Sequence, residues 1–164
     1  AWLFHISITP YAIIFKRKKE SWGLTAKDLL AYTTDSHGYA TGLFLTTNSF
    51  ELMERLEAHD TYHVLAGYGT NVPDEIAQQY FLFGNGKKNL YVIGVLLLSI
   101  LLLPDNMPQY LAAYRRGTKC NPIHLLDMKS LLNTPLQDIQ NQIFNTSMHI
   151  PCSATVHSID LFKI

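Results

Sequence analysis

Leu56-Glu57-Ala58-His59-Asp60-Thr61-Tyr62-His63 is followed by breaks at Gly67 and Gly69, and then by Pro73-Asp74-Glu75-Ile76-Ala77. Leu52, Leu56, His59 and His63 step by four, three and four, the spacing of one helical stripe. The two glycines end that helix. Pro73 suits the first turn of the next, which runs to about Phe83 before Gly84-Asn85-Gly86 stops it. So short a break predicts an antiparallel helical hairpin. At about 100° per residue, His63 lies roughly 40° and Asp60 roughly 100° from His59, on or beside the stripe begun by the leucines. The hairpin sets the first turn of the second helix, with Glu75, beside the last turn of the first. Imidazoles and carboxylates among apolar neighbours are costly unless paired or bound to a cation. His59, Asp60, His63 and Glu75 therefore form a candidate metal site, and two imidazoles with two carboxylates suit Zn²⁺ first, with Fe²⁺ or Mn²⁺ as alternatives. Each residue also has a plainer reading. The histidines fit hydrogen-bonded core positions, Asp60 could pair with Arg55 or a lysine, and acids at 74 and 75 stabilise a helix start.

Outward from this hairpin the apolar spacing stays helical. Thr25 with Asp28 three residues on is a capping-box variant. Gly38 and Gly42 give the segment Ser36–Phe44 a flat face for close helix packing. Leu90–Leu103 is almost wholly apolar and ends at Pro104. As a helix it would span about 21 Å, short of a ~30 Å hydrocarbon core, so a transmembrane reading is disfavoured. It fits a central core helix, a lipid-cavity wall or a segment dipping into one bilayer face. Gln109–Arg116 and Thr134–Phe144 read as two further helices. The expected architecture is a single-domain, all-α helical bundle with a metal-binding hairpin. An apolar and basic segment covers residues 1–21, a helical domain 22–144 and a loose tail 145–164.

The 164 residues carry 13 Lys+Arg against 13 Asp+Glu, so there is no basic surplus for a general nucleic-acid binder. Hydrophobic residues make up 48% and charged residues only 16%, which excludes disorder and a coiled coil and leaves unusually little polar covering. Cys120 and Cys152 lie in no metal-ligand or redox spacing. Lys16-Arg17-Lys18-Lys19 follow the apolar opening stretch, the reverse of a signal peptide, and could add attraction to an anionic lipid surface.

His59-Asp60-x-x-His63, eleven residues and then Glu75 resembles the metal motif of the coenzyme Q biosynthesis protein 4 family. Gly67–Asn71, Asp74–Ala77, the Gly38/Gly42 helix, the apolar helix after the motif and Pro135-Leu136 are similar as well, so the resemblance covers roughly residues 22–144. It implies an all-helical fold, a zinc-type site and peripheral attachment to the cytoplasmic side of a membrane, or to the mitochondrial inner membrane in a eukaryote. It also implies assembly with other quinone-biosynthesis enzymes, with a homo-oligomer left open. The family is linked to replacing the ring carboxyl at C1 of a polyprenylated quinone precursor by hydroxyl, which implies a metal-dependent decarboxylase. A polar site beside a greasy helix is compatible with such an amphiphile.

Two rivals stand beside that reading. One is a non-catalytic lipid-binding scaffold that organises quinone-pathway enzymes around a structural metal. The other is a His-Asp metal-dependent phosphohydrolase, for which His37 and Asp127 would complete the ligand set while Glu75 stood idle.

Overall fold

The computed structural model describes residues 20–144, and the segments 1–19 and 145–164, with Cys152, lie outside the described residues. Seven α-helices succeed one another among the described residues: α1 (Ala26–Leu29), α2 (His37–Thr47), α3 (Glu57–Ala66), α4 (Val72–Gly84), α5 (Leu90–Leu102), α6 (Met107–Thr118) and α7 (Leu136–Phe144). No strand occurs among the described residues. The fold is all-α.

Local chemistry sets the ends of these helices. The Thr25–Asp28 capping box forms, although the helix it opens is a single turn. Ser36 Oγ accepts the Tyr39 N–H at the start of α2. Asn71 Oδ1 accepts the Asp74 N–H at the start of α4, with Pro73 in the first turn where its missing N–H does no harm. Gly67, at φ 71, closes α3 in the left-handed conformation that glycine adopts without strain.

α4 and α6 make the closest helix pair. A Cβ at Gly117 would run into the Phe81 carbonyl, and one at Gly84 into the Tyr114 carbonyl, so glycine on both helices permits the approach. Asn85 then staples the ends: its amide donates to the carbonyls of Gly117, Cys120 and Asn121, and its Oδ1 accepts the Ile123 N–H at 2.8 Å. Phe81, Leu82, Tyr110, Ile123, Ile139 and Ile143 are fully buried around this pair. At the other end, Gly38 gives its N–H to Leu132 O at 2.8 Å, and a Cβ on Gly42 would stand 2.9 Å from Leu29 Cβ. The Gly38/Gly42 face thus serves helix packing, as its spacing predicts.

Two expectations are corrected. Leu52 and Leu56 do not extend the histidine stripe, because α3 begins only at Glu57 and Arg55 turns the chain at φ 67. Nor is α5 a central core helix. Among its residues only Val92 and Ser99 are buried, while Leu90, Leu97, Leu101 and Leu102 are each more than 60% exposed. An uninterrupted apolar run has no polar face to mark a solvent side, so its burial cannot be read from periodicity. Among the described residues no single helix is long and apolar enough to cross a membrane, and α5 meets the following Pro104–Thr118 segment at a 110° bend.

Candidate metal centre

α3 carries two histidines one turn apart, and the loop 67–71 returns the chain so that Glu75 in the first turn of α4 reaches them. α3 and α4 otherwise touch sparingly, since α4 packs mainly along α6. The three side chains converge: His59 Nε2 lies 3.3 Å from His63 Nε2, and Glu75 Oε2 lies 3.4 Å from the first and 3.5 Å from the second. All three residues are buried.

Several contacts aim these groups. His63 Nδ1 sits 3.1 Å from the Tyr68 carbonyl, so in the neutral ring Nδ1 donates and Nε2 turns its lone pair inward. The left-handed Gly67 makes this possible, because Gly67 N–H and Tyr68 N–H both fold back onto the His63 carbonyl. Phe44 stacks on the His63 ring at 5.2 Å, and the two histidine rings meet edge to face. Arg116, reaching from α6, donates to the Ala66 carbonyl and lies over the Tyr68, Phe81 and Phe144 rings. It thereby ties the loop behind His63 to α6 and α7.

Burial works against charge here, and the neighbours decide each case. Burial pushes the Glu75 carboxyl up, but its contacts with His59 and His63 outweigh this and hold it down at about 2. Burial lowers His59. It would lower His63 as well, but Glu75 reverses the sign and raises it. Burial, with smaller help from the Glu75 and Glu57 carboxylates, carries Asp60 up to about 7 against the opposing pull of the Met53 N–H and His63.

Asp60 is therefore different from the other three sequence-selected residues. It lines the same cavity of about 30 Å³, but its Oδ2 accepts the Met53 N–H at 3.1 Å, and it is not among the converging donors. Its expected alternative partner is also corrected, since Arg55 makes no ion pair among the described residues. His37 and Asp127 do not join the cluster: His37 is fully buried in the first turn of α2 and Asp127 is exposed. The phosphohydrolase ligand set is thus not assembled among the described residues.

The donors present fit a divalent cation. Glu75 Oε2 is buried without a well-formed hydrogen bond, a costly state for a carboxylate oxygen. Donors about 2.0–2.1 Å from a tetrahedral ion stand about 3.3 Å from one another, close to the three separations found. A cavity of about 30 Å³ has room for an ion or a water.

A second cavity, of about 290 Å³, adjoins the first through His59, which lines both. Arg55, Gln79 and Lys87 border it. Sequence spacing places none of the three at a cavity (Arg55 enters it only as a possible partner of Asp60), although Gln79 lies one helical turn beyond Glu75 and so on its face of α4.

The family model for coenzyme Q (ubiquinone) biosynthesis protein Coq4 matches residues 44–147. No curated protein matches the chain by direct comparison. A crystal structure of a candidate ubiquinone biosynthesis protein from Nostoc punctiforme superposes with a TM-score of 0.63 at 16% identity, covering 87% of this chain and 81% of the other. At that identity the likeness speaks for the fold.

Proposed function

The chain belongs to the coenzyme Q (ubiquinone) biosynthesis protein Coq4 family, and from this we propose that it binds a polyprenylated aromatic quinone precursor at a membrane surface and acts on the ring at a metal site formed by His59, His63 and Glu75. The observation that carries this reading is the inward convergence of three buried donors beside a ring-sized cavity. Two histidines and a carboxylate are a donor set that both zinc and ferrous iron accept, with coordination left open as catalytic sites require. A divalent cation bound there supplies Lewis-acid stabilisation to a ring oxygen.

The residues of the chain do the remainder. His63 is oriented by the Tyr68 carbonyl. Glu75, held ionised by the histidines, balances positive charge at the site. Water is limited by Phe44, Phe50 and Met53, which wall the small cavity. Replacing a ring carboxyl by hydroxyl consumes one water, releases carbon dioxide and removes two electrons and two protons, so the reaction requires an external oxidant. The exposed face of α5 supports peripheral attachment: Leu90, Ile93, Leu97, Ile100 and Leu101 offer an apolar surface suited to the boundary of a bilayer.

The test is turnover of a short-chain prenyl hydroxybenzoate on liposomes, with dioxygen or a quinone as oxidant and Zn²⁺, Fe²⁺ or Mn²⁺ supplied in turn. Carbon dioxide release that disappears in folded His63→Ala supports catalysis. Absence of turnover with every metal and oxidant, in a protein that still binds the substrate, would favour the scaffold role.

A further inference from the structure

The larger cavity has a polarity of its own. Trp22, Leu56, Tyr62 and Leu126 give it apolar and aromatic walls, and at about 290 Å³ it suits a ring rather than a whole lipid. Its charged side chains are Arg55, Lys87 and one acid, Asp127. The Arg55 guanidinium has no ion-pair or hydrogen-bond partner among the described residues. Its backbone is held at φ 67, a left-handed conformation that a residue with a Cβ rarely adopts. Gln79 is 1% exposed, and its Nε2 donor has no hydrogen-bond partner. A buried donor left unmet within the fold is costly. Lys87 lies 5.2 Å over the Tyr62 ring.

A strained arginine without an ion-pair partner among the described residues and an unmet buried amide at one cavity fit a ligand that brings oxygen acceptors and negative charge. We propose that this cavity is the head-group subsite for an aromatic carboxylate, with Arg55 as the residue that pairs the carboxylate and Gln79 as the donor that orients it beside His59. The choice of an aromatic acid rests on the function proposed above, whereas the preference for an anion stands on the cavity alone. Arginine offers a planar fork that matches a carboxylate, and the aromatic walls accept the ring faces. Any prenyl tail has to leave the cavity, because its volume is spent on the ring.

The experiment compares 4-hydroxybenzoate with its uncharged methyl ester, titrated against the protein as purified and followed by ligand-observed NMR. The acid should bind at least about tenfold more tightly than the ester. Arg55→Gln should remove most of that preference and leave ester binding unchanged. Gln79→Leu should weaken both ligands while circular dichroism stays helical; if that variant unfolds, Arg55→Gln decides alone. Inorganic phosphate at the same concentration should fail to displace the acid. Equal binding of acid and ester, an unchanged preference in Arg55→Gln, or displacement by phosphate would each overturn the assignment. Acid selectivity lost in Arg55→Gln, in a protein found to carry no metal, would instead sink the catalytic reading and leave the subsite standing.

Discussion

Replacing Gly117 by alanine should destabilise the protein, although alanine is the better helix former. Gly117 lies inside α6 and has no positive φ, so intrinsic propensity alone favours the change by about 1 kcal/mol. Against this, the new methyl would overlap the Phe81 carbonyl and stand 3.0 Å from the Asn85 nitrogen. Both obstacles are backbone, and neither can rotate away. The helices would have to part along their closest contact, an overpacking penalty of about 3 kcal/mol. The net loss is about 2 kcal/mol, or a melting temperature lower by about 4–8 °C. Gly94→Ala is the control: it sits in the exposed part of α5 with nothing within 4 Å, and should gain about 0.5–1 kcal/mol. Urea denaturation followed by circular dichroism reads both variants. A Gly117→Ala protein as stable as the parent would refute the close α4–α6 crossing, and with it the placement of Glu75, which α4 carries.

Three further outcomes follow from the fold. His37 is buried with both ring nitrogens unpartnered, and burial lowers it to about 4, so it folds neutral. The unfolded chain binds that proton near pH 6.5 and the folded one only near 4. Its contribution is therefore complete above pH 6.5 and lost as pH falls towards 4, about 2 kcal/mol of it between pH 7 and 5. Urea titrations at those two pH values should show that difference shrinking in His37→Phe. Asn85→Ala strands three carbonyls and the Ile123 N–H, and should cost about 2–4 kcal/mol in the same assay. The double substitution Leu97→Glu and Leu101→Glu, on exposed sites of α5, should change stability by less than about 0.5 kcal/mol yet abolish co-sedimentation with anionic liposomes. Undiminished sedimentation would remove α5 from the membrane face.

The helices that were legible from sequence are those with chemical punctuation. Thr25 and Asp28, Pro73, and Gly67 mark ends that the structure places within a residue or two. The exposure of α5 was not legible, because a run of leucines looks the same in a core and on an unpartnered face. In the site, His59, His63 and Glu75 could be grouped from helical spacing and a short break alone. Asp60 could not be told apart from them, since its separation depends on a Met53 N–H delivered by an irregular segment. Arg55 and Lys87 were hidden for the same reason: each stands outside a helix, where no period predicts direction.

The most direct test of the metal centre is metal content by mass spectrometry on protein purified without chelator. About one divalent ion per chain is expected in the parent and in Asp60→Asn. It should be lost from His59→Ala, His63→Ala and Glu75→Gln, each checked for retained helicity. A parent that carries no metal, or folded His63→Ala and Glu75→Gln proteins that keep it, would contradict a centre built from these three residues.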